Sequence, residues 1–224
     1  MILAGNQPCY LPYMALFNRI ARADIYMHSG HLQFSNKSFH NRTYIKGVRL
    51  TVPVSRTFGD QINQVVIKNN EWIPAHFAMI EAAYKDEPYF NSFFPRLADL
   101  LMAECSFLDI FNRRLIDFFC HVLSIETKIV DSAQWHFEGT ATEKNIQMCR
   151  AVGADWYLQS INGRDFTDEQ EMNEAGIGIV WQHFKQPDYG QDMNYNEGKL
   201  SIIDPLARLG PKRTRELVFE SWVP

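Results

Sequence analysis

The chain opens on a short apolar run, Ile2 to Gly5, that stops at a glycine and reads as a buried strand. From Ala15 to Arg22, Leu16, Phe17 and Ile20 fall on one helical face, with Arg19 and Arg22 opposite. Ile25-Tyr26-Met27 follows as a second strand. Tyr44 to Val54 alternates through Ile45, Val48, Leu50 and Val52, which predicts one longer strand closed by Pro53 and a turn at Gly59-Asp60. Gln64 to Ile67 is placed to pair with it as a hairpin. The middle third is helical. Ile73 to Tyr84 has Pro74 at an early helical position, and Pro88 to Cys105 and Leu108 to Leu123 repeat apolar residues near i, i+3 and i+4.

The last third alternates. Lys128 to Val130 reads as strand, Thr142 to Val152 as helix, and Trp156 to Gln159 as strand. Asp168 to Ala175 reads as a helix stopped by Gly176, and Ile177 to Trp181 as strand. Thr140-Ala141-Thr142-Glu143 carries a capping box with Thr140 at the N-cap. Strands separated by helices imply right-handed crossovers and a mostly parallel sheet. The expected class is α/β, a single domain over residues 1–224, with flanking helices and a helical block in the middle third.

Composition narrows function more than fold. The 224 residues suit one large α/β domain, and 46% hydrophobic with 21% charged residues is ordinary for a globular chain. A net charge of −4 supplies no basic field for coating nucleic acid, though a nucleotide-sized acceptor stays open. Cys9, Cys105, Cys120 and Cys149 are scattered without a C-x-x-C pair, which argues against a zinc cluster or disulfide framework. No signal-peptide pattern opens the sequence and no long apolar run spans a membrane. A cytoplasmic protein without membrane insertion is expected.

In open parallel sheets ligands sit beyond the carboxyl ends of strands. Three such ends carry polar residues here. The first delivers Asn6, Gln7 and Tyr10, the second Ser160, Asn162, Arg164 and Asp165, and the third Gln182 and His183. Pro8 and Pro12 bias Gln7 and Leu11 toward extended backbone, so the segment reads as a stiff loop presenting Gln7 and Tyr10 to one side. Asn41, Arg42 and Lys46 offer donors and positive charge for an anionic group. Each of these has an ordinary alternative as loop or solvated surface. The seven histidines form no H-x-x-x-H or H-E-x-x-H pair, so no metal site is expected, and no nucleophile elbow, Walker loop or dinucleotide fingerprint occurs.

Several segments in order carry a resemblance. They are Gln7-Pro8-Cys9-Tyr10-Leu11-Pro12, Ala23-Asp24, Gln33-Phe34 with Lys37-Ser38, Arg42, Ile45-Lys46, and Leu50-Thr51-Val52-Pro53-Val54. His76, Glu174-Ala175-Gly176-Ile177, Pro187-Asp188-Tyr189-Gly190-Gln191, Ser201-Ile202-Ile203-Asp204-Pro205-Leu206 and Gly210 continue it. Together they resemble the WbqC-like family, found in bacterial O-antigen clusters. The resemblance implies transfer of an activated amino acid such as glycine, as thioester or adenylate, onto an amine or hydroxyl of a sugar, with no other cofactor. Under it, Asn6 and Gln7 would face the oxyanion and His31 or His183 would act as base. Arg42 and Lys46 would grip an anion, Tyr10 would form a wall, and Gln33 and Asn41 would join the binding set. The family commonly carries an acidic pair where this chain has Gly30-His31, and serine or histidine where it has Asn6, which marks a divergent member. Two alternatives remain: transfer onto a modified nucleotide or DNA base, as in bacteriophages, and a non-catalytic nucleotide- or sugar-binding module.

Overall fold

The computed structural model describes residues 1–36, 38–191 and 199–221; Lys37 of the resembling segments lies outside the described residues. In chain order come β1 (Ile2–Asn6), α1 (Met14–Ala21), β2 (Ile25–His28), β3 (Arg42–Ile45), β4 (Val48–Thr51), β5 (Val54–Ser55) and β6 (Val66–Ile67). Three helices fill the middle: α2 (Ile73–Tyr84), α3 (Phe90–Met102) and α4 (Leu108–Val122). The rest is β7 (Lys128–Asp131), α5 (Ala141–Val152), β8 (Trp156–Ser160), α6 (Glu169–Glu174), β9 (Gly178–Gln182) and α7 (Ile203–Glu220).

Five strands form one all-parallel sheet in the order β7-β2-β1-β8-β9, so the protein has the α/β fold that its alternating pattern predicts. Both faces are covered, and the central strands accordingly read as unbroken apolar runs. Successive side chains serve opposite faces. Leu3, Ile25, Met27 and Tyr157 pack with Ile146, Met148 and Cys149 of α5 and Met172 of α6. Ala4, Tyr26 and Leu158 face a larger core built by α1, α4 and α7 with the middle helices. The chain builds outward from β1 to β2 and β7, then returns past β1 to build β8 and β9. Strand order therefore reverses between β1 and β8, and their carboxyl ends diverge there.

Three local expectations are corrected. Tyr44 to Val54 is not one strand: β3 turns at Lys46-Gly47 into antiparallel β4, with Ile45 opposite Val48 and Gly47 at φ 74°. A two-residue turn of this hand needs positive φ, which glycine supplies without a Cβ clash. Only Val54-Ser55 pairs with Val66-Ile67. Gln7 to Pro12 is not a presenting loop either, since Pro8 to Pro12 are buried and Leu11 takes φ 41°. Finally, no sequence pattern above announces α7. Its apolar face is interrupted at Gly210-Pro211, where Gly210 adopts φ 78° and ψ 168° and bends the helix.

Candidate functional site

The reversal between β1 and β8 opens a cleft of about 350 Å³. Gly5, Asn6 and Gln7 form one wall as β1 ends, Tyr157 and Gln159 of β8 form another, and Ser29 and Leu32 close the side after β2. The first turns of α5 supply Ala141, Lys144, Asn145 and Met148, and Gly163 with the exposed Phe166 makes the rim.

The start of α5 is fixed by its cap. Thr140 Oγ1 accepts from Glu143 N at 3.2 Å, and Glu143 Oε2 accepts from Thr140 N at 2.6 Å. This reciprocal pair ends the loop and sets Lys144 and Asn145 one turn in, facing the cleft. The helix N-terminus adds partial positive charge. Tyr157 is 3% exposed and Asn145 7%, yet neither side chain has a hydrogen-bond partner among the described residues. Burial pushes the Tyr157 phenol well above its ordinary value, so it remains a donor through neutral pH. Among the described residues, Lys144 makes no ion pair and no residue that lines the cleft is acidic.

Gly5 forms the floor. A Cβ there would lie 3.2 Å from both Ser29 Oγ and Tyr157 Oη, so the missing side chain keeps the two hydroxyls facing one shared space. On the far side of the sheet edge Arg19 is 6% exposed. Its Nε and Nη2 donate to Gln182 Oε1 at 2.9 and 2.8 Å, and Nη1 donates to Asn6 Oδ1 at 3.2 Å. The guanidinium is held by amides, with no carboxylate in ion-pair range among the described residues. Cys9 and Cys149 flank this region, but burial pushes both thiols to about 12, which removes the thiolate as a nucleophile.

The sequence-predicted residues divide sharply. Asn6 and Gln7 reach the cleft, although Asn6 Oδ1 accepts from Arg19 and Gln7 Nε2 donates to Gln33 O at 2.9 Å. His31 sits beside it against Phe137, with both ring nitrogens sealed from solvent and unpartnered. Burial, then the charge of Lys144, lowers its pKa to about 4. It is therefore neutral and placed poorly for a base. His183 is exposed on the chain beyond β9, outside the cleft lining.

The other assignments move for physical reasons. Tyr10 is no wall: it is fully buried, and its hydroxyl shares a 2.9 Å hydrogen bond with His76 Nδ1. Asn41 is buried and donates to Val52 O at 2.9 Å. Arg42 donates to Asn36 O, while Lys46 stands at the β3–β4 turn with Nζ 3.8 Å from Glu87, so the hairpin separates the pair. Gln33 lines a separate groove with Phe34, Asn36 and Arg56. After β8, Ser160 caps the short helix 161–166, Arg164 pairs with Glu169 at 3.3 Å over Trp181, and Asn162 and Asp165 are exposed. Gln182 is buried as Arg19's acceptor.

Ser29, Lys144, Asn145, Tyr157 and Gln159 were not foreseen, because strand reading stopped at polar loops and passed over polar groups inside apolar elements. The signal available was the capping box, which places Lys144 on the first turn of a helix aimed at the sheet's carboxyl edge. By contrast, the groove at the ends of β2 and β7 is internally neutralised: Arg113 pairs with Asp109 and Asp131, and His28 Nε2 lies 3.5 Å from Asp117.

The model of the WbqC-like protein family matches residues 7–216. The chain belongs to the WbqC-like protein family. This WbqC-like protein is also 28% identical over 212 residues to the uncharacterized protein Rv1507c of Mycobacterium tuberculosis (strain ATCC 25618 / H37Rv), covering 91% of this chain and 92% of the relative. The matched range begins just after β1 and takes in the cleft residues from Gln7 onward and most of the bent helix α7. Among the described residues of this WbqC-like protein, no helix is long and apolar enough to cross a membrane.

Proposed function

We propose that this protein is an aminoacyl transferase working in the cleft between β1 and β8. The acceptor is an amine or hydroxyl of a small molecule such as a sugar, and the donor is an activated amino acid such as glycine, held as thioester or adenylate. The observation that carries this reading is Tyr157, a buried phenol without a hydrogen-bond partner among the described residues, which lines the cleft beside Asn6, Gln7 and Lys144. An unpaired hydroxyl that lines the cleft suits the oxyanion that forms when a carbonyl is attacked.

The acceptor's lone pair forms the new bond to the carbonyl carbon, and the π pair moves to oxygen under Tyr157. Collapse expels the thiolate or the nucleoside monophosphate. With an amine delivered unprotonated, the proton lost from nitrogen goes to the departing group. Orientation and oxyanion stabilisation then supply most of the acceleration. Incubation of the purified protein with glycine, ATP or glycyl thioester and a panel of amino sugars, read by mass spectrometry, tests this: a glycylated acceptor is expected.

A binding-only role is the second reading, favoured by the sealed, weakly basic His31 beside the cleft. Ligand-induced stabilisation without product would select it. A product formed only with a nucleotide or DNA acceptor would instead move the acceptor class.

A further inference from the structure

Arg19 is a buried charge without a countercharge among the described residues. A guanidinium removed from water is costly unless an anion or strong acceptors compensate it. Here all three donating nitrogens meet neutral amides, from Gln182 and Asn6. Asn6 stands between this cation and the cleft. On the cleft's other wall Lys144 has no ion-pair partner among the described residues, and Tyr157 and Asn145 turn unpartnered polar side chains into the same space. Among the described residues no acidic side chain lines that space, although the chain as a whole carries a net charge of −4.

We infer that the cleft between β1 and β8 takes an anionic small molecule, bearing a phosphate or a carboxylate, with Lys144 as its direct cation and Arg19 as a buried countercharge behind Asn6. The anion lies beside the first turn of α5, where Lys144 meets it and Asn145 offers a hydrogen bond, which leaves the Tyr157 hydroxyl for the reacting carbonyl. Arg19 is a positioning residue. It reaches the anion only through its field and through the orientation of Asn6, and the Tyr157 phenol already feels that charge. This inference rests on the cleft being the transferase site and adds that the donor enters as an anion, as an adenylate or a phosphate-bearing thioester would.

Thermal-shift and calorimetric titrations with inorganic phosphate, AMP, acetate and uncharged adenosine test it. AMP or phosphate is expected to stabilise the protein in a salt-sensitive way, and adenosine is not. Stabilisation by acetate alone would also support the inference and make the anion a carboxylate. Lys144→Gln is half-exposed and should fold, and it is expected to weaken the anion about tenfold. Gly5→Ala, which puts a methyl between the two hydroxyls, is expected to abolish binding with an unchanged circular dichroism spectrum. Arg19→Gln should weaken the anion while leaving adenosine unaffected. Equal responses to AMP and adenosine, no response to any anion, or full anion affinity in Lys144→Gln would each overturn the inference. Anion binding without transfer would remove the transferase reading and leave this one standing. Transfer from a neutral donor, indifferent to Lys144→Gln, would do the reverse.

Discussion

Tyr189 donates its hydroxyl to Asp204 Oδ1 over 2.9 Å. Tyr84 donates to the other oxygen at 3.0 Å and itself accepts from Lys46 N at 3.0 Å. Asp204 is almost fully buried at the start of α7, with Arg208 Nη1 3.8 Å away. One carboxylate therefore ties the last helix to the β3–β4 hairpin, to α2 and to the segment before residue 191. Asp204→Ala strands two buried hydroxyls, and the expected loss is about 2–4 kcal/mol by urea denaturation. Tyr189→Phe removes one bond and is expected to cost about 1 kcal/mol. Equal, negligible effects of both would show that the network does not hold α7.

This network explains why the resembling segments near the C-terminus were easy to see and hard to interpret. Tyr189, Asp204 and Gly210 belong to architecture, and so do Tyr10 and His76, whose bond closes the core under the first loop. The sheet was legible because buried parallel strands are apolar runs and the helices between them carry caps and stops such as Thr140 and Gly176. The β3–β4 hairpin was missed because alternation continues across Lys46-Gly47, and only the glycine marks the turn. The cleft was half legible. Strand ends pointed to Asn6 and Gln7, but Tyr157 and Lys144 face it from inside a strand and a helix, where apolar periodicity hides them.

Acid is expected to destabilise the fold before it protonates surface carboxylates. Burial lowers His31, His40 and His76 to about 4 each, against 6.5 when unfolded. The folded state thus favours neutral imidazoles. Their contribution is fully present above pH 6.5 and is lost as pH falls toward about 4. The slope is on the order of 1 kcal/mol per pH unit for each histidine. Asp109 and Asp204, with raised carboxyl pKa values, oppose this: they favour folding at low pH and lose that contribution as pH rises through their folded values. That opposing contribution is lost from the ordinary carboxylate value of 3.8 upward, and the three histidines act from about pH 7 to about pH 5. Urea midpoints should fall across that range, and His40→Leu should flatten the fall. A pH profile left unchanged by His40→Leu would exclude a buried neutral His40.

Gly210 is expected to be irreplaceable for backbone reasons. Its φ of 78° with ψ of 168° is a conformation essentially confined to glycine, and a Cβ would come within 2.8 Å of the Tyr89 ring. Gly210→Ala should cost about 2–3 kcal/mol. Tyr89 is half-exposed and can swing aside, so the strain rather than the clash should dominate. The Tyr89→Ala background separates the two. Gly210→Ala should remain nearly as destabilising there, whereas full recovery would assign the effect to the ring.

Tyr157→Phe is the substitution that distinguishes chemistry from scaffold. The phenol is buried, unpartnered among the described residues and aimed into the cleft, so removing its oxygen breaks no fold contact. Stability should change by less than about 1 kcal/mol, since no buried partner is left unsatisfied. Turnover with an amine acceptor should fall about 100-fold if the hydroxyl stabilises the oxyanion, with kcat reduced more than KM is raised. His183→Ala, on the exposed chain beyond β9, should leave turnover unchanged. The rate should show no loss between about pH 7 and about pH 9 from a phenol that stays protonated there. Full activity in Tyr157→Phe would take the oxyanion out of this cleft, while a large loss in His183→Ala would place the reacting groups at the end of β9 instead.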